Sequence, residues 1–212
     1  MAKFHVATNT PPKPVLIADW VREQPWAPSA TAAVEVVGSI HLEDPDGEVG
    51  MQIYVVESDG AMFQVPVTYR DAPLPAAPAA LIGTVEHSVL GLRYVHDGVY
   101  DDQLVTVLAG VASAGYGQSL GFAQHEGRWY AWPDELRLHG SGVLPEPLPV
   151  DRFTLEGDDG GRVVLQNDHL KLTLHRSLTE ATLPPVGLAT TLPGTAGQVT
   201  LVEVGLLPAD RR

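Results

Sequence analysis

The sequence contains no cysteine, which removes disulfides, thiolate catalysis, iron–sulfur clusters and Cys-bound zinc together. Positive charge is scarce: 13 Lys plus Arg stand against 26 Asp plus Glu, a formal net charge of −13 over 212 residues. Nucleic acid is therefore excluded as a partner, because gripping phosphates takes clustered cations that release counterions. An anionic membrane surface repels such a chain as well. Long apolar runs are missing too. No stretch approaches the roughly 18 apolar residues of a spanning helix, and Met1-Ala2-Lys3-Phe4-His5-Val6 has no apolar core of a secretion signal. The expectation is a soluble, cytoplasmic protein without a membrane partner. What is present is 44% hydrophobic residues with 21 Gly and 18 Pro, the composition of a turn-rich globular chain long enough to bury its own core.

Apolar spacing places Leu16, Ile17, Trp20 and Val21 on one face of a short helix that starts near Pro14 and ends before Pro25. Beyond it, Val34–Leu42, Val49–Glu57 and Met62–Arg70 read as three strands of a meander. They are joined at Asp44-Pro45-Asp46-Gly47 and Ser58-Asp59-Gly60, and Phe63, Val65, Val67 and Tyr69 share one face. After a Pro- and Ala-rich loop over 71–80, Leu81–His87 and Val89–His96 read as a hairpin. Asp101 and Asp102 then start a second helix, which Gly115-Tyr116-Gly117 ends. Short strands are expected over 120–124, 128–131 and 135–139. Pro145-Glu146-Pro147-Leu148-Pro149 marks a boundary between residues 1–144 and 145–212. The second part reads as strands at 153–156, 162–166, 169–175 and 199–206, with a structureless loop over 183–197.

Eight histidines and 26 acidic residues make a metal site or an acid–base pair arithmetically possible. Glu86 and His87 lie across the hairpin from His96 and Asp97, a set that could meet as ligands or as acid and base. Neighbours on a strand point to opposite faces, however, so Glu86 and His87 cannot both aim inward; surface hydrogen bonding is the plainer reading. His169 and His175 share a strand face but stand about 20 Å apart, too far to share an ion. The Gly115–Gly121 run follows a helix rather than opening one, the reverse of a phosphate-cradling loop. No Gly-x-Ser-x-Gly occurs. Trp129, Tyr130 and Trp132, together with Trp20 and Trp26, could stack on sugar rings, with core packing as the commoner fate of such residues.

Several segments in order resemble one family. They are Ala18-Asp19-Trp20 with Gln24-Pro25-Trp26, Glu48-Val49-Gly50, Gln64-Val65-Pro66-Val67-Thr68-Tyr69-Arg70, Glu86-His87-Ser88-Val89-Leu90-Gly91 and Tyr94-Val95-His96-Asp97-Gly98. Together they resemble the N-terminal cap domain of bacterial maltokinases. Gly117-Gln118-Ser119-Leu120-Gly121 and Glu126-Gly127-Arg128-Trp129-Tyr130 continue the likeness toward short stand-alone proteins often labelled glucan-branching. The resemblance implies an α+β fold, mostly antiparallel β, in which a cystatin-like curved sheet holds a helix. A degenerate kinase N-lobe-like β region follows, with Lys171 loosely at the place of the lobe lysine. Maltokinase makes maltose 1-phosphate from maltose and ATP. Its His-Gly-Asp-Leu-His loop and its metal-binding Asp-Phe-Glu are absent from this sequence, and no catalytic residue or cofactor carries over. The expectation is a non-catalytic cap-like protein with a regulatory or interaction role in maltose, trehalose or α-glucan metabolism. Its partners would be a glucan-pathway enzyme, a separately encoded kinase lobe, an α-glucan or maltose, or a second copy of itself. A carbohydrate-binding module built on Trp129, Tyr130 and Trp132, and an enzyme using Glu86, His87, His96 and Asp97, are the rival readings.

Overall fold

The computed structural model describes residues 2–4, 7–29, 31–119, 121–132, 135–180, 182–195 and 197–208. Along the chain run β1 (Ala2–Phe4), β2 (Asn9–Thr10), α1 (Lys13–Arg22), β3 (Val34–Leu42), β4 (Gly50–Ser58), β5 (Ala61–Arg70), β6 (Leu81–His87) and β7 (Gly91–Asp97). A 3-10 turn at Gly98–Tyr100 leads into α2 (Asp102–Ser113). Then come β8 (Gly121–His125), β9 (Arg128–Trp132), β10 (Leu138–Gly140), β11 (Thr154–Asp158), β12 (Arg162–Gln166), β13 (Leu170–His175), β14 (Ser177–Leu178), β15 (Gly187–Thr191) and β16 (Gln198–Leu206).

The fold is α+β and mostly antiparallel. In the first sheet the strand order is β2-β6-β7-β5-β4-β3, and β14 adds to the edge of β5 that β7 leaves uncovered. The sheet curls into a half-barrel, and bulges between Val36 and Gly38 and between Leu81 and Gly83 fall where extra residues bend a strand. A second sheet runs β10-β15-β16-β13-β12-β11, and a third, smaller one runs β1-β8-β9. The meander expected over residues 34–70 closes through Asp59 and Gly60, both at positive φ, as a two-residue hairpin demands.

Both faces of β4 and β5 are covered, which is why their burial is nearly continuous rather than alternating. Tyr54, Val56, Phe63, Val65, Val67 and Tyr69 pack with Ile17 and Val21 of α1 inside the curl. The other face sends Ile40, Met51, Ile53 and Val55 into a larger cluster with α2 and the second sheet, which includes Leu104, Leu108, Leu172, Leu188 and Leu201. Replacing a fully buried residue such as Ile53 by Ala therefore costs about 2–5 kcal/mol. One polar side chain crosses between the sheets: the Gln64 amide donates to the carbonyls of His175 (2.8 Å) and Leu201 (2.6 Å).

Helix α2 is framed at both ends. Asp101 accepts from the Gln103 N–H (3.1 Å) at the N-cap. At the other end Gly115 (φ 68) lets the Gly115 N–H reach Ala112 and the Tyr116 N–H reach Val111, a Schellman closure. The segment 183–197, expected to be structureless, instead carries β15, whose Gly187, Leu188, Ala189 and Thr190 are buried between β10 and β16. Five residues of small side chains flanked by prolines give no alternation to read, yet the sheet supplies both neighbours.

Candidate functional site

The hairpin register separates the residues proposed as an acid–base set. His87 pairs with Gly91 at the turn, whereas His96 pairs with Leu81 at the far end, about 16 Å along the strands. Glu86 is exposed, and the His87 ring accepts from the Val89 and Leu90 N–H groups, capping the turn. His96 is fully buried and accepts from the Leu74 N–H (3.1 Å) through Nε2, which pins the Pro- and Ala-rich loop to the sheet. Burial lowers its pKa from the ordinary value. Among the described residues no three His, Asp or Glu side chains converge as metal ligands. Trp129 and Tyr130 are 53% and 47% exposed on β9, so the core packing expected for them is not their environment. The Trp132 side chain lies outside the described residues. Lys171 is exposed, opposite in sense to its buried neighbours Leu170 and Leu172.

Asp97 belongs to a different assembly. It ends β7, caps the following 3-10 turn, and forms a buried ion pair with Arg176. Arg176 is 1% exposed and uses Nη2 for this bond, while its buried Nε and Nη1 have no hydrogen-bond partner among the described residues. The alternation of Leu170, Leu172 and Leu174 puts position 176 on the core-facing side, so a guanidinium stands where a further Leu is expected. That break in the pattern was the signal for Arg176, and sequence reasoning passed over it. Burial pushes the Asp97 carboxyl up, and the neighbouring guanidinium pulls it back only in part.

Above this pair opens a cleft of about 850 Å³ lined by Trp20, Trp26, Tyr100, Asp158, Gly160 and Arg176, with the 76–80 loop as one wall. Trp20 sits on the last turn of α1, where the Gln24 amide donates to its carbonyl (3.0 Å). Chain reversal after Pro25 then carries Trp26 back to meet it edge-on, with ring centroids 5.9 Å apart at 65°. Phe63 supports Trp26 from below at 5.4 Å, and the Arg176 guanidinium lies 5.6 Å over the Trp26 ring. The β11–β12 turn completes the rim. Gly160 has φ 81, and a Cβ there would lie 3.0 Å from the Trp26 Cβ, so glycine is required both by conformation and by space. Tyr100 donates to Asp158 (3.2 Å), and burial with that carboxylate raises its phenol pKa. Asp159 is tied to the turn, accepting from the Gly161 (2.9 Å) and Arg162 (2.7 Å) N–H groups.

Chemically, the cleft offers apolar aromatic surface over a buried guanidinium and an exposed carboxylate acceptor. Its guanidinium is already paired with Asp97, so the cleft suits a neutral polyhydroxylated ligand better than an anion. Residues 20–101 match the family model of the maltokinase N-terminal cap domain, in line with the resemblance. The match contains Trp20, Trp26, Asp97 and Tyr100 but not Asp158, Gly160 or Arg176. No curated protein matches the sequence.

Proposed function

We propose that this chain is a non-catalytic saccharide-binding module of maltose, trehalose or α-glucan metabolism, and that the cleft above Asp97 and Arg176 is where the sugar sits. The cap family supplies the metabolic setting. The observation that carries the reading is the pair of tryptophans lining the cleft above the buried Asp97–Arg176 pair. Sugar C–H faces stack on Trp20 and Trp26, and Asp158 accepts from a hydroxyl at the rim. The structural parallels implied by the resemblance belong to this reading: the curled sheet around α1 as a cystatin-like cap, and the β11–β16 sheet as the counterpart of a degenerate kinase N-lobe. In that frame the chain presents saccharide to, or senses it for, a separately encoded enzyme. The sequence has neither the His-Gly-Asp-Leu-His loop nor the Asp-Phe-Glu motif for phosphoryl transfer of its own.

Isothermal titration calorimetry with maltose, trehalose and a maltooligosaccharide series tests this. Binding heat that disappears in Trp26→Ala is the expected result. Absence of heat with every one of these sugars overturns it. A second reading rests on the exposure of Trp129 and Tyr130 on β9, which offers a separate stacking surface. Retention of binding in Trp26→Ala with loss in Trp129→Ala moves the site there.

A further inference from the structure

A second cavity, of about 520 Å³, lies at the opposite end of α1, between the helix start, the end of the β3–β4 hairpin and the turn of the β6–β7 hairpin. Its floor includes Tyr69 and Gln52, and behind them Tyr54 meets the Tyr69 hydroxyl at 2.9 Å and donates to Gln52 (2.9 Å). Lys13 reaches in from above. Position 13 continues the apolar stripe of Leu16, Ile17, Trp20 and Val21 at i+3, i+4, i+7 and i+8, so its side chain is directed at the sheet. The ammonium lies 4.1 Å from the Tyr69 ring centroid, and among the described residues no carboxylate pairs with it. Burial pulls its pKa from 10.5 to about 8.

Arg93 enters from the far wall. Alternation on β7 places it on the same face as buried Val95; among the described residues its buried Nε has no hydrogen-bond partner, and its Nη2 donates to the Leu90 carbonyl (2.8 Å). Three acids, Glu43, Asp44 and Glu48, also line the cavity, and Asp44 is already engaged. Asp44 accepts from the N–H groups of Asp46, Glu48 and Val49 and from the Gln103 amide, so its oxygens are committed to the turn. Glu43, Glu48, His41 and His87 complete the titratable lining. Two cations with no carboxylate ion pair among the described residues, placed beside a neutral phenol, are a poor arrangement for stability alone. The charge of α1 compounds this, since the helix begins with a lysine and has no acidic residue in its first turn.

We propose that this cavity binds a compact oxyanion, the phosphate or carboxylate group of a small metabolite, held between the Lys13 ammonium and the Arg93 guanidinium. An anion seated there supplies the counter-charge that both side chains lack and occupies the space in front of the Tyr69 ring. The site is independent of the saccharide cleft and stands or falls separately from it.

The chain has three lysines, Lys3, Lys13 and Lys171, so ε-¹³C-lysine labelling yields one resolvable signal for each. The experiment titrates intact labelled protein with inorganic phosphate and, in parallel, with acetate. The expected result is a saturating shift of the Lys13 signal alone and a rise of its titration midpoint by about one pH unit, the mark of an anion that prefers the charged amine. Response to phosphate but not acetate assigns a phosphoryl group; response to both assigns any compact oxyanion. Arg93→Met is expected to weaken the shift at least tenfold, and Lys171→Met to leave it intact. A Lys13 signal that moves no further than those of Lys3 and Lys171 overturns the proposal, and this wild-type measurement decides it even if Arg93→Met does not fold. Trp26→Ala should bind phosphate normally.

Discussion

Lys13 and Arg176 mark the two ends of α1, and they show two solutions to one problem. Each is a cation set on a stripe that otherwise faces the core, Lys13 on the helix and Arg176 at the end of a strand series of leucines. Arg176 is buried with a carboxylate partner and stacked near Trp26, so its charge is compensated from within. Lys13 has an aromatic face and, among the described residues, no acid paired with it. The first arrangement builds a compensated base under an aromatic cleft; the second leaves a charge for an external group to complete. A helix of ten residues, about 15 Å long, separates the two environments.

Breaking the compensated end has the largest expected effect. Arg176→Met leaves Asp97 charged and buried, which should cost about 3–5 kcal/mol, read as a fall in the urea midpoint. Adding Asp97→Asn should recover most of that loss, because the uncompensated charge goes with it. If the double variant is no more stable than the single, the pair is not the reason for the loss. Next in size is Trp26→Ala, which should raise the dissociation constant for maltooligosaccharide at least about tenfold, or ~1.4 kcal/mol, while Trp129→Ala leaves it unchanged.

The uncompensated end should be visible in the alkaline stability profile. Lys13 titrates near 8 in the folded chain against 10.5 ordinarily, so between these values the unfolded chain holds a proton that the folded chain has released. Stability therefore rises with pH across that window, and Lys13→Met should flatten the rise. The Tyr54 and Tyr69 phenols, raised by burial, act in the opposite sense above their ordinary value of 10.0, so the slope is best read from pH 8 to 10. The smallest effect sits at the cleft's loop wall. His96 is held neutral below its ordinary value of 6.5, so acidification protonates the unfolded chain first and stability falls as pH drops through that range. Protonation also removes the Nε2 acceptor for the Leu74 N–H; amide exchange at Leu74 should quicken on acidification relative to Ala80 in the same loop, after correction for intrinsic rates.

Much of this frame was legible in the residues. The meander over 34–70 and both helices announce themselves through local spacing, because a turn such as Asp59-Gly60 and a cap such as Asp101 act within a few residues. The cleft was legible only in fragments. Trp20, Trp26 and Asp97 each stand out, but Arg176 is 79 positions from Asp97, and only the return of β14 to β5 brings it there. β15 was hidden for a related reason: Gly187-Leu188-Ala189-Thr190-Thr191 has little β character of its own and is held by neighbours from residues 138–140 and 198–203. The exposed pair on β9 misled in the other direction, since aromatic content pointed to a core that the small third sheet does not build around it.

The shared edge of β5 has a consequence for biosynthesis. β7 covers its Val67–Arg70 half early, but Met62 and Phe63 wait for Ser177 and Leu178. At roughly 5–20 residues per second, a ribosome leaves that half-edge unpaired for about 6–23 s. During that interval it is an open template for strands of other nascent chains, and a holding chaperone has its clearest reason to bind there.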